Sequence, residues 1–417
     1  MTIGLLIVAL FTVSFSLTAK RFASTVFTAP MLYIGLGVVL ASSHLLPDEG
    51  VEATLHIVAE VALIVLLFLD AAQVDMRILG RHHIWPLRML LIGLPLSVIL
   101  GTITTQAFFP EWPLVTVALV AAILAPTDAA LSQEVVSNPI VPVRPRRALT
   151  VESGLNDGLA LPLILLLASL TAHATDKSSN DWLLFGAKQM LLGPAVGIAG
   201  GLIGGKALLL AKSYGLTSKP FEGIAAIAMA CAIYLAATAI GGNGFIAAFV
   251  AGLCFGYVVK GACAFVYEFT ESEGQLLSWG SFFLLGLALV PEAVKHLDWP
   301  TFATIVVSLF VVRPLAIWLS LLGTDASTTT RLFFGWFGPR GLATALFALL
   351  VVKQIDPEYG EPILNIAVNA VWISALLHGL SAASGARWYA QKILRMGDCA
   401  ENDVVEKSGV PLKTPDD

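Results

Sequence analysis

The sequence predicts an all-α membrane protein, and three observations predict it: the composition, a succession of apolar runs of spanning length, and basic residues that favour alternate loops. Of 417 residues, 57% are hydrophobic and only 13% charged, whereas a water-soluble domain carries about 25% charged residues. The formal net charge of −5 carries no signature of nucleic-acid binding. Four cysteines, Cys231, Cys254, Cys263 and Cys399, lie far apart without a CxxC pair. They imply neither a disulfide framework nor a zinc site, and read as small apolar residues.

A membrane helix needs roughly 20 mostly apolar residues. Thirteen stretches qualify, at 3–19, 28–46, 52–71, 85–106, 113–136, 146–171, 185–211, 221–240, 243–259, 266–290, 300–323, 329–352 and 361–384. The first has no basic segment before it and is followed by Lys20-Arg21, so it reads as a retained helix rather than a signal peptide. With the N-terminus outside, the loops after odd-numbered spans and the tail hold eighteen lysines and arginines, against four on the other side (Lys177, Lys188, Lys295 and Lys353). Basic residues concentrate on the cytoplasmic side, so the chain is read as N-out/C-in in a bacterial inner (plasma) membrane. The tail from 386 is polar, cytoplasmic and expected to end in disorder.

Thirteen spans divide as six, a linker and six, which sets the two halves in inverted orientation. The fifth span is interrupted by Pro126 before Thr127-Asp128, and the twelfth by Gly338-Pro339-Arg340-Gly341. Each is the fifth of its half. Helix breakers at corresponding positions of two halves point to broken helices crossing around a binding site.

Ionisable groups in the bilayer core cost at least about 2.5–3.5 kcal/mol each, so each needs a reason. At a rise of ~1.5 Å per residue, Asp157 lies roughly 17 Å deep in the sixth span, and Asp128 and Arg340 reach a similar level. The sixth span reads Glu152-Ser153-Gly154-Leu155-Asn156-Asp157-Gly158. Ser153 and Asp157 share a helix face, as do Glu152 and Asn156. A carboxylate, a hydroxyl and an amide oxygen at one level form a hard-oxygen ligand set for a small alkali cation, with Thr127 adding a hydroxyl and a free carbonyl. Asp157, Ser153 and Thr127 are the ligands expected for Na+, in preference to Asp157 serving as a buried polar anchor.

Glu152 and Arg313 lie at compatible depths, and a buried unpaired charge is costly, so they are expected to form a structural ion pair. Asp128 and Arg340 can neutralise the partial charges at the ends of the broken helices. Glu60 reads equally as a water-separated ligand or as a residue facing the bundle. Asp70 ends the third span and reads as a solvated cap. Glu268, Glu271 and Glu273 open the tenth span, as an acidic funnel or a solvated helix end.

Several stretches then carry a resemblance: LFLDAAQVDMRIL (67–79), LAPTDAALSQEVVSNP (124–139), VESGLNDGLALPL (151–163), EFTESEGQLLS (268–278), Arg313-Pro314, and GWFGPRGLATALF (335–347). Together, in this order, they resemble the monovalent cation:proton antiporter family, and its bacterial NhaP-type sodium/proton exchangers in particular. The resemblance implies a homodimer of thirteen-helix protomers. It implies scaffold helices at 1–84 and 172–299, a mobile core at 85–171 and 300–385, and a tail at 386–417. It makes Asp157 the shared carrier of cation and proton, with Asn156 beside it, and pairs the acid at Glu152 with Arg313. Electrogenic relatives have a second aspartate where Asn156 stands, which implies an electroneutral one-for-one cycle. Ala129 departs from the family, where proline is common, and leaves the break to Pro126.

The expected mechanism is competition. Burial disfavours a charged carboxyl, so Asp157 holds either a proton or a cation, and the empty charged form is penalised. No cofactor is implied beyond the transported Na+ or Li+, or K+, and H+. Three rivals remain: K+/H+ exchange, a cation channel, and an intramembrane aspartyl protease using Asp128 and Asp157. A channel needs a continuous pore rather than one midplane site, and neither aspartate has the protease's glycine context. Gly200-x4-Gly205-Lys206 imitates a P-loop but has Ala207 where Ser or Thr is required. Gly193, Gly197, Gly201 and Gly205, four apart, read instead as a close-packing face.

Overall fold

The computed structural model describes residues 2–22, 25–43, 45, 51–74, 84–136, 138–172, 179–259, 262, 264–397 and 399–402. Arg77, Arg81 and the tail beyond 402 lie outside the described residues, as do the side chains of Glu268, Glu271 and Glu273. The chain runs through α1 (Thr2–Phe22), α2 (Ala29–Ser43), α3 (Val51–Gln73), α4 (Ile84–Phe108), α5 (Leu114–Leu124), α6 (Ala129–Val136), α7 (Val143–Ala172) and α8 (Ser179–Ser213). It continues through α9 (Lys219–Ala239), α10 (Gly244–Val259), α11 (Ala264–Ala288), α12 (Val290–Lys295), α13 (Trp299–Ser320), α14 (Thr328–Trp336), α15 (Leu342–Val352) and α16 (Pro357–Met396).

Among the described residues, seven helices are long and apolar enough to cross a membrane, α1, α4, α7, α9, α13, α16 and the 191–213 part of α8, with shorter apolar helices between them. The chain is a multi-pass membrane protein. Both expected interruptions are present: α5 and α6 flank an unwound Ala125–Asp128, and α14 and α15 flank an unwound Phe337–Gly341. A further pairing was not read from the sequence. α4 contains a π-helical segment at Met89–Gly93, followed by Leu94-Pro95, and α13 contains one at Ser308–Val312, followed by Arg313-Pro314. Proline lacks an N–H and displaces the helical ladder, and wider π turns accommodate that.

Glycines set the packing of α3, α8 and α10. A Cβ at Gly193 would stand 2.9 Å from the Asn243 carbonyl oxygen, and one at Gly197 2.6 Å from that of Ala247. Gly201 meets the Ala251 carbonyl oxygen in the same way. The four-residue glycine spacing is therefore a helix-packing face, in keeping with the reading against a P-loop. On the opposite side of α10, Gly252 and Gly256 lie against the carbonyl oxygens of Phe68 and Ala72 of α3. Gly37 of α2 and Gly286 of α11 meet each other's helices likewise, at Phe283 and Ile34.

The end of the last span differs from expectation. The last span, read as 361–384, is part of a helix reaching Met396, because Tyr389 and Ile393 remain buried while Arg387, Lys392 and Arg395 stay out. Gly397, at φ 71°, then reverses the chain and sends the turn Ala400–Asn402 back onto the bundle.

Candidate functional site

The site is built where the two unwound segments cross. Helix ends leave carbonyls and N–H groups without helical partners, and in a membrane these must be met inside the protein. Arg340 meets one set: its Nη1 donates to the carbonyl oxygens of Ala125 (2.8 Å) and Pro126 (3.2 Å), at the C-terminal end of α5. Asp128 meets the other: its Oδ2 accepts from the N–H of Leu342 (2.7 Å), at the start of α15. The Asp128 N–H donates to the Pro339 carbonyl (3.0 Å). Each segment thus supplies the charge that caps the other's half-helix.

This geometry accounts for the glycines around Arg340. A Cβ at Gly341 would collide with the Asp128 carboxylate, and one at Gly338 with the Arg313 guanidinium. Two residues of α16 that sequence reasoning missed complete the brace. The Arg340 N–H donates to Ser374 Oγ (2.7 Å), Ser374 Oγ lies 3.1 Å from His378 Nδ1, and His378 Nε2 lies 2.8 Å from the Trp336 carbonyl at the end of α14. A neutral imidazole protonated on Nε2 satisfies the chain, with Nδ1 accepting from the serine. The available signal was Ser374-x-x-x-His378, two polar residues on one helix face in an apolar span.

α7 supplies the remaining groups. Arg313 donates to Glu152 through both terminal nitrogens, Nη1 to Oε1 (2.7 Å) and Nη2 to Oε2 (2.9 Å), and both side chains are almost wholly buried. A two-pronged bond satisfies carboxylate and guanidinium together. Asn156 Nδ2 donates to Thr127 Oγ1 (2.6 Å), and that hydroxyl lies 3.4 Å from Ser153 Oγ and 3.5 Å from Glu152 Oε2. Thr127, Ser153 and Asn156 are all buried. Among the described residues, Asn156 Oδ1 and Asp157 Oδ1 are buried with no hydrogen-bond partner. Leaving such oxygens unpaired costs about 1–3 kcal/mol each, so each is open to a cation or a proton. Asp157 as a whole is only partly buried, which leaves it accessible.

Charge points the same way. Asp157 stands in the field of Asp128, Asp70 and Glu152, strongest first. With Arg313 and Arg340 alongside, the cluster holds four carboxylates and two guanidiniums. Fully ionised, it carries two negative charges in excess and attracts cations.

Two expectations need correction. Asp70 is not a solvated cap: its backbone carbonyl lies against Gly154 of α7, and its carboxylate acts on both Asp128 and Asp157. Glu60 does not join the site; it is exposed on α3 and accepts a hydrogen bond from Tyr234 Oη of α9.

Two broken helices crossing at a buried, negatively charged site inside a multi-pass bundle define a membrane transporter. The chain belongs to the sodium/hydrogen exchanger transmembrane family, whose model matches residues 6–388. It is 28% identical over 340 residues to the K(+)/H(+) antiporter NhaP2 of Shewanella sp. (strain ANA-3), covering 80% of this chain and 58% of that protein. It is likewise 28% identical over 308 residues to the K(+)/H(+) antiporter NhaP of Alkalimonas amylolytica, covering 71% of this chain and 52% of that protein. The chain thus spans a little over half the length of these relatives. The sodium proton antiporter MjNhaP1 of Methanocaldococcus jannaschii at pH 8 has the same fold, with a TM-score of 0.78 over 95% of this chain and 99% of that one, at 20% identity. Fold and family are those of a transporter and not of an enzyme, which removes the aspartyl protease.

Proposed function

We propose that this chain is a secondary antiporter that exchanges a monovalent cation for a proton, with Asp157 as the group that carries either. The observation that carries this reading is the pair of buried, unpartnered oxygens, Asn156 Oδ1 and Asp157 Oδ1, beside the crossing of two capped half-helices. Three other charges at the crossing have fixed partners: Glu152 has Arg313, Asp128 the start of α15, and Arg340 the end of α5. Asp157 is left to be neutralised by what it transports. Ser153, Thr127 and Asn156 supply further oxygens, and Asp70 stands within electrostatic reach as an additional acidic group.

The cation is read as Na+ or Li+, for which a compact set of hard oxygens is suited. A second reading, K+/H+ exchange, is favoured by the names of the two bacterial relatives above. With one titratable carrier and asparagine beside it, the cycle moves one cation per proton and is electroneutral. Counting α5 with α6, α11 with the short α12, and α14 with α15 as single spans gives thirteen crossings with the N-terminus out and the C-terminus in. The paired π turns and paired breaks support an inverted repeat. In this reading 85–171 and 300–385 move against a dimerising scaffold of 1–84 and 172–299, in a bacterial inner membrane.

The test is reconstitution into liposomes, with internal pH followed after sodium, lithium or potassium gradients are imposed, and with the potential clamped or free. Proton flux driven by a cation, indifferent to the clamp and lost in Asp157→Asn, is the expected result, and the ranking of cations names the substrate. Exchange that survives in Asp157→Asn removes Asp157 from its role.

A further inference from the structure

α7 meets the glycine-packed helices at two points, one on each side of Asp157. On the N-terminal side, a Cβ at Gly154 would lie 3.3 Å from the Asp70 carbonyl oxygen and 3.6 Å from Val74 Cγ2, a contact that a small side chain almost fits. On the C-terminal side the contact is of another kind. The aromatic ring of Phe249, on α10, occupies the place where a Cβ of Gly158 would stand, and Phe249 is buried. Glycine at 158 is therefore what lets the ring lie flush on α7, next to the carrier carboxylate.

The helix that presents the ring is held fast. α10 is packed backbone-to-backbone on α8 through Gly197 and Gly201, and on α3 through Gly252 and Gly256. Against α7 it offers a side chain, which can slide off or rotate without separating two backbones. Beyond the ring, one helical turn further along α10, Phe245 stacks edge-on with Tyr234 at 4.9 Å, and the Tyr234 hydroxyl donates to Glu60. Glu60 is exposed, and a carboxylate facing hydrocarbon is costly, so this face is one where water or another polar group reaches the protein. A line of residues thus runs from a polar mouth at Glu60 and Tyr234, past Phe245 and Phe249, to Gly158 and Asp157.

We propose that Phe249 is the gate on this line. Seated on Gly158, its ring closes the approach to Asp157 from the C-terminal end of α7, the extracytoplasmic side in the orientation proposed above. For Asp157 to be reached from the mouth, the ring must leave Gly158, either by turning or by α7 moving along α10. The gate makes coupling possible, because a carboxylate open to both sides at once would leak protons instead of exchanging them. This inference rests on the antiport reading.

The test is a double-substitution cycle in liposomes, using Phe249→Ala, Gly158→Ala and the pair together, with folding checked by melting temperature. Two fluxes are followed: cation-driven proton exchange, and proton leak with no transported cation present. Phe249→Ala is expected to raise the leak about tenfold, and Gly158→Ala to slow exchange about tenfold because the added methyl meets the ring; the pair should recover most of the lost exchange, since contacting residues are non-additive. If Phe249→Ala lowers the yield of folded protein, Phe249→Leu fills most of the space and should leak to an intermediate degree. A leak equal to wild type in the folded Phe249 variants overturns the gate, as does a double variant as slow as Gly158→Ala alone. A wild-type protein that shows no exchange with any cation overturns instead the antiport reading, and the gate falls with it.

Discussion

Two regions of this molecule are held together by opposite means. Around α3, α8 and α10, helices approach until glycine meets a carbonyl, with no charge at the contacts: Gly197 on Ala247, Gly201 on Ala251, Gly252 on Phe68, Gly256 on Ala72. Around α5, α7, α14, α15 and α16, charged side chains tie unwound backbone in place: Arg340 to Ala125 and Pro126, Asp128 to Leu342, Glu152 to Arg313. Contacts between small residues in lipid draw on close van der Waals packing along a whole helix face. Buried charges depend on single partners, and losing one leaves the other exposed to a low dielectric. The comparison teaches where function can sit. Among the described site residues, the buried side-chain oxygens without a hydrogen-bond partner, Asn156 Oδ1 and Asp157 Oδ1, lie in the second region.

The largest effect separating the regions is expected at Arg313. Replacing it by Ala strands Glu152, which is 2% exposed, at a cost of about 3–5 kcal/mol. The melting temperature of purified protein should fall sharply. Because the penalty belongs to the stranded charge, Glu152→Gln in the same chain should recover much of the loss. If Arg313→Ala melts like wild type, the second region is not held by its charges.

A smaller effect is expected in the first region. Gly197→Leu forces a side chain into a contact where even a Cβ would be 2.6 Å from the Ala247 carbonyl oxygen, and overpacking of this kind costs about 1–3 kcal/mol. The loss should appear in melting temperature and yield. Exchange per folded molecule should stay near wild type, because no group at the ion site is touched. A folded Gly197→Leu protein that melts normally but fails to exchange would show that these helices move during transport.

The two regions were not equally legible in the sequence. Glycine spacing and the Pro126 and Gly338–Gly341 interruptions are local, and each is where it was expected. The meeting of Glu152 with Arg313 followed from depth counting, because the stretches from each residue to its span's cytoplasmic end, 143–152 and 313–320, are regular helix for which rise per residue holds. Asp70 was misread for the same reason in reverse: counting placed it at the end of its span, while the contact with Gly154 sets that level of α3 against the site helix. The Ser374 and His378 brace is tertiary, joining α16 to the end of α14 and to Arg340 in the unwound segment after it; the spacing Ser374-x-x-x-His378 marks a polar face on α16 but not what it meets. The run past 384 was read as tail because charge rises there, yet the charges lie on one face and Tyr389 and Ile393 on the other.

That returning tail offers the mildest and most discriminating test of the second region. Glu401 is buried, and its Oε1 accepts from the Ser327 N–H (2.9 Å) and from Thr330 Oγ1 (2.6 Å), at the N-terminus of α14. Arg144, at the start of α7, donates to the neighbouring Ala400 carbonyl (2.7 Å). A carboxylate from outside the membrane helices thus caps the half-helix whose far end lies at the ion site. Burial works against its ionisation, but the donors Thr330 and Ser327 outweigh it and hold the carboxyl below its ordinary value. A carboxyl depressed on folding stabilises above its unfolded pKa, about 4.3 for glutamate, and the contribution fades as pH falls through the folded value. Glu401→Gln should therefore lower stability by about 0.5–2 kcal/mol at pH 7, the worth of a helix cap. Melting curves of the two proteins should converge as the solution is acidified below the unfolded value. A gap that stays constant down to that range would mean that Glu401 acts through packing, and that the charged bracing ends at the membrane helices.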